Sequence, residues 1–435
     1  MEPLHEYQRR AVESIKENKR LALWLEMGMG KTRIVLEAIK ELGRPRTLIV
    51  APATVVRNVW KQEAAKWTPD TKVSIVDGDP RKRAARLTKE ADVYVISRDN
   101  LKWLYGQKTK PYEVLVIDES TSFKNPSTVR FKTIKKLLAQ FSRIYILSGT
   151  PNANGYIDLW AQYYILDCGI RLGRYITPYK ERYFNYRIIN GYAVYTTPKK
   201  GAVKAITEKI KDITFSLTAA DYLQLPEKID NVIEVQQTEK EKEAYKELKK
   251  TYIYGQEVTA QNAAALYQKL AQLAGGFLYT DDGEVINIGT GKLDTVREIV
   301  ECEPDNVLVF YKYKRDKELL IKDGARIIET TKDIDDWNAG KIHYAAASPE
   351  VIGRGNNLQA GGHHIVWYSL PWSLEIYQQA NARLYRQGQE HPVTITHLLT
   401  EGTIDGEIYK ALKDKKVNLD TLLKAVESQA EKGGK

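Results

Sequence analysis

The chain has 435 residues, 43% of them hydrophobic and 28% charged, so it can fill the cores of two or three domains. No apolar run approaches the ~20 residues that cross a bilayer, and the first residues lack a secretory signal, so we expect an intracellular protein without membrane contact. A net charge of +10 favours a polyanionic partner such as nucleic acid.

The cysteines and histidines predict neither a disulfide framework nor a metal site. Cys168 and Cys302 lie far apart in the sequence, and the six histidines show no metal-binding spacing. His363 and His364 are adjacent and would point to opposite faces of a strand. We therefore expect no zinc held by protein ligands.

The first predicted elements flank a glycine-rich loop. An apolar strand from Leu21 to Leu25 precedes it, and apolar residues at helical spacing follow it. The loop residues are Glu26, Met27, Gly28, Met29, Gly30, Lys31 and Thr32. Glycines let successive N–H groups face a polyphosphate, while Lys31 reaches the outer phosphates and the Thr32 hydroxyl ligates magnesium. Leu25 stands where the strict phosphate-loop pattern has glycine, and a turn without a ligand is the alternative.

Short β-branched runs separated by helical patterns follow and predict a parallel sheet covered by helices. The runs are Thr47 to Val50, Val73 to Val76, Asp92 to Ile96, Glu113 to Ile117 and Arg143 to Leu147. Functional loops of such sheets lie at the carboxyl ends of the strands. Asp118 and Glu119 follow one run and would hold magnesium and activate water, or else cap a helix. Ser148 and Thr150 follow the next and would sense the γ-phosphate, or else form a simple turn.

From about Asp158 to Thr290 the alternation gives way to Tyr-, Lys- and Glu-rich stretches that predict helical insertions. A second α/β lobe follows, with strands predicted at Asn306 to Tyr311, Ala325 to Glu329, His343 to Ala347, His364 to Tyr368 and Val393 to Leu398. Arg383 and Arg386 would share one helix face and could neutralise a transferring phosphoryl group. A solvated basic helix face is the alternative.

Two further stretches are basic. Arg81 to Arg83, with Arg86, would contact phosphates or form a solvated helix face. The segment Arg171 to Arg187 interleaves basic and aromatic residues, which would either contact nucleic acid or form a small core.

The order of these motifs resembles the superfamily 2 helicase-like ATPases, and further segments resemble the Swi/Snf family of DNA translocases. These segments are Asn58 to Trp60, Phe123 to Asn125, Gly149 to Asn152, Leu225 to Lys228, Gly291 to Leu293, Val307 to Phe310, Arg386 to Gln389 and Gly402 to Asp405. The resemblance extends from about Leu4 to Leu412 and implies two RecA-like lobes with parallel sheets. It favours a minimal bacterial, archaeal or viral motor.

The resemblance also implies roles for individual residues. Gln8 would read adenine, and the glycine-rich loop would bind ATP and magnesium together with Asp118 and Glu119. Arg383 and Arg386 would complete the site from the second lobe across an inter-lobe cleft. The implied coupling residues are Ser148, Thr150 and Gly355, and the implied DNA-facing residues are Pro52, Thr54, Ser97, Arg98, Tyr311, Lys312, Asn357 and Trp372. Tyr311 and Trp372 fit a role as core aromatics equally well.

The chain departs from the family pattern at three places. The acidic box reads Asp-Glu-Ser-Thr rather than Asp-Glu-Ala-His, so Ser120 or Thr121 must take over its coupling role. The segment Thr218 to Asp221 replaces two basic residues, and Asn381-Ala382 replaces the acidic residue that usually precedes Arg383. We therefore expect altered contacts between the lobes.

These patterns predict an ATP-binding lobe at residues 1–225 with a helical protrusion after Thr150, a second lobe at 226–420 and a polar tail at 421–435. We expect a monomeric ATP- and magnesium-dependent translocase on duplex DNA, with single-stranded DNA left open as a further partner. A strand-separating or reannealing helicase and a non-hydrolysing nucleic-acid-binding scaffold are the alternatives. The expected location is the cytoplasm of a bacterial, archaeal or virus-infected cell, with a nuclear location left open.

Overall fold

The computed structural model describes residues 3–152, 155–189, 191–217, 222, 225–255, 257–352 and 357–430, with side chains left out at positions 54, 58, 189, 263 and 420–430. The chain forms two compact units, Met1–Leu223 with Lys415–Lys435, and Gln224–Asp414. No helix in the described ranges combines the length and the apolar character that crossing a membrane requires.

The first unit is built on a seven-stranded parallel sheet in the order β3-β4-β2-β5-β6-β1-β9. Its strands, together with a separate hairpin of β7 and β8, are β1 (Arg20–Leu25), β2 (Thr47–Ala51), β3 (Val73–Val76), β4 (Val93–Ser97), β5 (Val114–Ile117), β6 (Arg143–Ser148), β7 (Phe184–Ile189), β8 (Tyr192–Pro198) and β9 (Thr214–Leu217). The central strands are continuous apolar runs because helices cover both faces of a parallel sheet. All six strands predicted for this lobe are present, and β7, β8 and β9 are additions.

Ten helices are described in the first unit before its final segment. They are α1 (Glu6–Glu17), α2 (Lys31–Glu41), α3 (Ala53–Asn58), α4 (Trp60–Trp67), α5 (Pro80–Thr88), α6 (Leu101–Tyr105), α7 (Val129–Leu137), α8 (Leu159–Asp167), α9 (Ile176–Tyr183) and α10 (Ala202–Ile210). The stretch predicted to be a helical protrusion contains α8 to α10, but the β7–β8 hairpin interrupts it.

The second unit has a six-stranded parallel sheet in the order β10-β19-β18-β15-β17-β16. Including two short hairpins, its strands are β10 (Lys228–Val235), β11 (Ile253–Tyr254), β12 (Val258–Thr259), β13 (Phe277–Tyr279), β14 (Val285–Asn287), β15 (Val307–Phe310), β16 (Arg326–Ile327), β17 (Tyr344–Ala347), β18 (His364–Trp367) and β19 (Val393–Thr400). The predicted α/β class with two parallel-sheet lobes is confirmed.

The sheet of the second unit carries a core that includes Val309, Val366 and Leu398, and residues of two helices, Gly291–Cys302 and Lys314–Lys322, pack into this core. The helices of this unit number eight among the described residues. They are α11 (Glu239–Thr251), α12 (Ala263–Ala274), α13 (Gly291–Cys302), α14 (Lys314–Lys322), α15 (Thr331–Asn338), α16 (Pro349–Ile352), α17 (Leu374–Asn381) and α18 (Ile404–Ala430). Helix α18 begins in this unit, and its residues from Lys415 onward belong to the first unit.

Candidate active site

The glycine-rich loop lies between a strand and a helix, as the sequence predicts. Strand β1 ends at Leu25 and helix α2 begins at Lys31. Gly28 and Gly30 have φ angles of 83° and 73°, in the left-handed region that favours glycine. A Cβ on Gly30 would also lie 2.6 Å from Nε2 of Gln8. The loop thus leads into a helix N-terminus, whose free N–H groups and dipole favour an anion.

Gln8, the residue implied to read adenine, lies against this loop. It is buried in α1, and its Nε2 donates to the Met29 carbonyl at 3.4 Å and to the Tyr7 hydroxyl at 3.3 Å. Its Oε1 accepts the His5 N–H at 3.1 Å, while the Tyr7 hydroxyl donates to the Met29 carbonyl at 3.2 Å. These bonds fix the Gln8 side chain to the loop, although its adenine role stays a prediction.

Lys31 lies beside the loop that follows β6. Its Nζ donates to the carbonyls of Leu25 and Glu26 at 2.9 and 3.2 Å. A Cβ on Gly149 would lie 3.6 Å from this Nζ and 3.4 Å from the Leu25 carbonyl oxygen. Strands β1 and β6 are neighbours in the sheet, so the Ser-Gly-Thr loop and the glycine-rich loop share one edge.

Asp118 and Glu119 follow β5 at the same carboxyl edge. The indole N–H of Trp60 donates to Oδ2 of Asp118 at 3.2 Å. Burial raises the pKa of the Asp118 carboxyl, and the Lys31 charge and the Trp60 hydrogen bond oppose that rise. Glu119 has a φ of 54°, an uncommon backbone conformation for this residue type. In the sequence, Trp60 contributes only to the resemblance to the family, and its contact with Asp118 was not predicted.

A buried glutamine links the acidic box to the Ser-Gly-Thr-Pro loop. The Ser120 hydroxyl donates to Oε1 of Gln162 at 2.7 Å. Nε2 of Gln162 donates to the Pro151 carbonyl at 2.6 Å and to the Asp158 carbonyl at 3.0 Å. Ser120 and Gln162 are both almost inaccessible to solvent. Ser120 is one of the two residues predicted to replace the family's histidine, and it is connected to the Pro151 carbonyl through Gln162. Gln162, on α8, was not identified from the sequence.

The donor groups at this edge fit a magnesium nucleotide. Thr32 lies in the first turn of α2, and the Thr150 N–H donates to the Ser148 hydroxyl at 3.0 Å. The Thr150 Oγ1 is buried and has no hydrogen-bond partner among the described residues. A phosphate loop, a carboxylate pair and an unsatisfied hydroxyl are the chemistry that a triphosphate with a divalent cation requires.

The two arginines of the second unit do not lie on a helix. Helix α17 ends at Asn381, so the prediction that Arg383 and Arg386 share a helix face is wrong. The chain tightens into 3₁₀-type bonds, with the Arg383 N–H donating to the carbonyl three residues earlier. Nε of Arg383 donates to the Gln379 carbonyl at 3.0 Å, and Nη1 of Arg386 donates to Oδ1 of Asn357.

Two of the other predicted features lie outside the described residues. They are Gly355, implied to couple hydrolysis to movement, and the segment Thr218 to Asp221. The Asn381-Ala382 pair, which departs from the family pattern before Arg383, lies within the described residues. Asn381 is buried, and its Oδ1 accepts the indole N–H of Trp367 at 2.9 Å. Asparagine therefore holds the end of α17 to strand β18.

Two buried polar contacts in the second unit explain motifs that carried no assigned role. Nζ of Lys292 lies 2.5 Å from Oδ2 of Asp405, with both side chains almost fully buried. This ion pair joins the Gly-Lys-Leu and Gly-Thr-Ile-Asp segments. Nε2 of Gln389 donates to the carbonyls of Gln359 and Gly362 at 3.0 Å each, which fixes the loop that carries the arginines.

The DNA-facing residues predicted in the first unit lie at the carboxyl edge of its sheet. Pro52 is the N-cap of α3, which contains Thr54, although the Thr54 side chain lies outside the described part. Ser97 ends β4, and its hydroxyl accepts the Asp99 N–H at 3.3 Å. Arg98 begins the 3₁₀ turn that follows. Their DNA contacts stay predictions.

The DNA-facing residues predicted in the second unit differ in exposure. Tyr311 is buried in the core of this unit, which matches the alternative reading of it as a core aromatic. Burial lowers the pKa of the neighbouring Lys312 ammonium. Asn357 is exposed. Trp372 is 37% exposed and makes an edge-to-face contact with Tyr267, with ring centroids 6.2 Å apart.

A histidine cluster lies at the opposite, amino edge of the second sheet. Potential ligand atoms of Asp305, His363 and His364 all lie within 4.8 Å of one another. The argument that His363 and His364 point to opposite strand faces is wrong, because β18 begins only at His364 and the two ring centroids are 4.5 Å apart. The expectation that no zinc is bound stays a prediction.

Two arginines of the first basic stretch, Arg81 to Arg83 with Arg86, make contacts within the protein. Nη1 of Arg83 donates to Oδ1 of Asn100 at 2.9 Å, and its guanidinium lies 4.5 Å from the Trp103 ring centroid. Nη1 of Arg86 donates to the Asp77 carbonyl at 2.6 Å. These contacts hold α5 to its neighbours, which leaves Arg81 and Lys82 as the solvent-facing cations of the stretch.

The second basic stretch is divided between core and surface. Arg171 forms an ion pair with Asp212, and Tyr179 and Phe184 are buried with ring centroids 5.6 Å apart. Tyr186 is exposed. The small-core interpretation therefore holds for the middle of the segment, whereas its end enters the β7–β8 hairpin.

A phosphate loop, an acidic pair and a Ser-Gly-Thr loop at one edge of a parallel sheet define a P-loop ATPase. Residues 7–277 match the SNF2-related domain family. The chain belongs to this family and is a helicase-like ATPase, as the sequence predicts.

Three relatives place the chain within the family. It is 33% identical to putative protein p41 of Acyrthosiphon pisum secondary endosymbiont phage 1, over 97% of this chain and 98% of that protein. It is 24% identical to the putative ATP-dependent helicase/translocase YwqA of Bacillus subtilis, over 92% of this chain and 46% of that protein. It is 25% identical to the mouse DNA repair and recombination protein RAD54B, over 88% and 51%. The chain thus spans about half the length of the latter two.

Proposed function

We propose that the chain is an ATP-driven motor that moves along duplex DNA. The observation that supports this most strongly is the meeting of three loops at one edge of the first sheet, where Gly149 adjoins the Lys31 ammonium and Trp60 holds Asp118. The names of the Bacillus and mouse relatives point to ATP-dependent movement and to DNA. The net charge of +10 suits a polyanionic track. The phage relative is in keeping with action in an infected bacterial cell.

The residues of the first unit would divide the work of ATP hydrolysis. Bound magnesium and ATP supply the phosphoryl group and the cation that neutralises its charge. Lys31 would bind the outer phosphates, and Thr32 and Asp118 would hold the cation. Glu119 would orient the attacking water and take its proton, while Gln8 would hold the adenine.

The second unit would contribute the two arginines to the reaction. Arg383 and Arg386 would stabilise the charge that spreads over the transferring phosphoryl group, a role worth ~10³ to 10⁵ in rate. Nε of Arg383 donates to the Gln379 carbonyl and Nη1 of Arg386 donates to Oδ1 of Asn357, and these contacts keep both guanidiniums positioned. Ser148, Thr150 and Gly355 would pass the state of the nucleotide to the residues that face DNA.

The proposal is tested by steady-state ATP hydrolysis without polymer and with single-stranded DNA, duplex DNA or RNA. Duplex DNA should give the largest stimulation, and Lys31→Ala should abolish it. Lys40→Ala is the matched control, because Lys40 lies on the exposed side of the same helix and pairs with Glu37. Stimulation by RNA alone would contradict duplex translocation, and a wild-type chain that binds DNA without hydrolysing ATP would point to a scaffold.

The arginine role is tested by separating binding from turnover. Arg386→Ala should lower the turnover number by at least about 10³-fold, the low end of the range for such a residue. Nucleotide affinity should change far less, because the interaction forms in the transition state. Lys314→Ala, at a highly exposed position of the same unit, is the control. An equal loss of affinity and turnover would remove Arg386 from this role.

A further inference from the structure

The β7–β8 hairpin is a two-stranded ribbon separate from the large sheet of the first unit. Its register places Tyr186 opposite Tyr195 and Arg187 opposite Val194. Gly191, with a φ of 77°, lies at the turn between the strands. Beyond Phe184, the described ribbon residues are exposed or only partly buried. Neither face of the ribbon is therefore covered by the rest of the described chain.

The ribbon exposes large apolar side chains of the kind that soluble proteins usually bury. Tyr186, Ile188 and Tyr192 are 56%, 63% and 77% exposed. An isolated hairpin is only marginally stable in water, and this one is anchored at its base by Phe184, whose ring lies 5.6 Å from that of Tyr179. Exposed apolar groups on an anchored projection mark an interaction site.

The charge of the ribbon and its base is almost entirely positive. From residue 180 to residue 200 the basic side chains are Lys180, Arg182, Arg187, Lys199 and Lys200, and the acidic one is Glu181. In the part of the chain that the structure describes, none of these five cations has a carboxylate oxygen within 4.0 Å. The centres of protein interfaces are depleted of charged residues, so this pattern favours a polyanion over a protein partner.

We propose that the ribbon binds the duplex DNA on which the motor acts, an inference that rests on the proposed function. Arg187 and Tyr192 share one face of the ribbon because side chains alternate along each strand, and Tyr186 and Ile188 share the other. The major groove, about 12 Å wide, admits a two-stranded ribbon. Arg187 and the cations at the base of the ribbon then neutralise phosphates, and Tyr192, on the same face as Arg187, contacts base edges.

A photo-crosslink tests the contact directly. Tyr192 is replaced by p-benzoylphenylalanine in the full chain, which is then irradiated with a labelled 40-base-pair duplex under conditions in which the wild type hydrolyses ATP. A covalent DNA adduct is expected. The same replacement at Tyr105, an aromatic residue that is 50% exposed elsewhere on this unit, should give little adduct. Absence of an adduct at Tyr192 overturns the proposal and leaves the ribbon to a protein partner.

The salt dependence of duplex binding tests the charge contribution. Arg187→Ser should reduce the slope of log affinity against log salt by about 0.9, the loss expected for one phosphate contact. Lys108→Ser, at an exposed loop position, should leave the slope unchanged. Tyr192→Ser should raise the duplex concentration for half-maximal ATPase stimulation about fivefold or more. Thermal melting confirms that each variant is folded.

The outcomes separate this inference from the proposed function. If duplex DNA stimulates the wild type but the Tyr192 crosslink is absent or Arg187→Ser leaves the salt slope unchanged, the ribbon proposal is wrong and the motor stands. If duplex DNA fails to stimulate hydrolysis although Tyr192 crosslinks to it, the ribbon binds DNA and the motor proposal is wrong. A crosslink to single-stranded DNA alone would also overturn the assignment to duplex.

Discussion

Replacing Gln162 by leucine should destabilise the first unit by about 2 to 6 kcal/mol. Leucine fills a similar volume but cannot hydrogen-bond, so the Ser120 hydroxyl and the Pro151 carbonyl lose partners at 2.7 and 2.6 Å. Each buried polar group left unsatisfied costs about 1 to 3 kcal/mol. For a unit of this size, 1 kcal/mol corresponds to about 2 to 4 °C, so its melting temperature should fall by about 4 to 24 °C.

Thermal melting of the wild type, Gln162→Leu, Ser120→Ala and the double variant provides the test. The melting temperature of the double variant should fall by less than the sum of the two single losses. Ser120→Ala removes the hydroxyl that Gln162→Leu would leave buried without a hydrogen-bond partner. Gln140→Leu is the control, since Gln140 is exposed. A melting temperature of Gln162→Leu within 2 °C of the wild type, or strictly additive losses, would refute the reasoning.

Three further perturbations test other buried contacts. Lys292→Met should lower the free energy of unfolding by about 3 to 5 kcal/mol in urea titrations, because it leaves the Asp405 carboxylate buried without its cation; an unchanged midpoint would contradict this. Burial lowers the pKa of His397 from 6.5 to about 4. The contribution of its neutral ring to the free energy of unfolding is therefore complete above pH 6.5 and falls by about 3 kcal/mol as the pH drops to 4. His397→Gln should flatten that part of the stability profile, and an identical profile would show that the ring does not carry it. Trp60→Phe keeps an aromatic side chain but removes the indole N–H from Asp118, so turnover should fall about tenfold; a wild-type rate would show that the bond is dispensable.

The strands at the centre of both sheets were predictable because parallel strands covered on both faces are continuous apolar runs. Thr47–Ala51 and Val307–Phe310 are of this kind. Lys228–Val235 was missed because it is an edge strand, largely exposed, whose polar residues hide the pattern. Thr214–Leu217 is also an edge strand, and its four residues are too few to show a period.

The loops of the candidate site were predictable because their residue types are tied to phosphate chemistry and follow strand ends. The side chains that hold them were not. Trp60 reaches Asp118 across 58 positions and Gln162 reaches Ser120 across 42, and neither pair has a local spacing signal. The end of α17 at Asn381 was missed for a related reason, since the side chain of this last residue makes a tertiary hydrogen bond to Trp367 of strand β18.

Displacement of a triplex-forming strand tests the motor claim most directly. A labelled third strand is bound to a duplex, and its release is followed with ATP for the wild type and for Glu119→Gln, beside a forked duplex of the same sequence. The account predicts ATP-dependent release of the third strand by the wild type alone, with the forked duplex left intact. Unwinding of the fork without triplex release would contradict it and identify a strand-separating helicase.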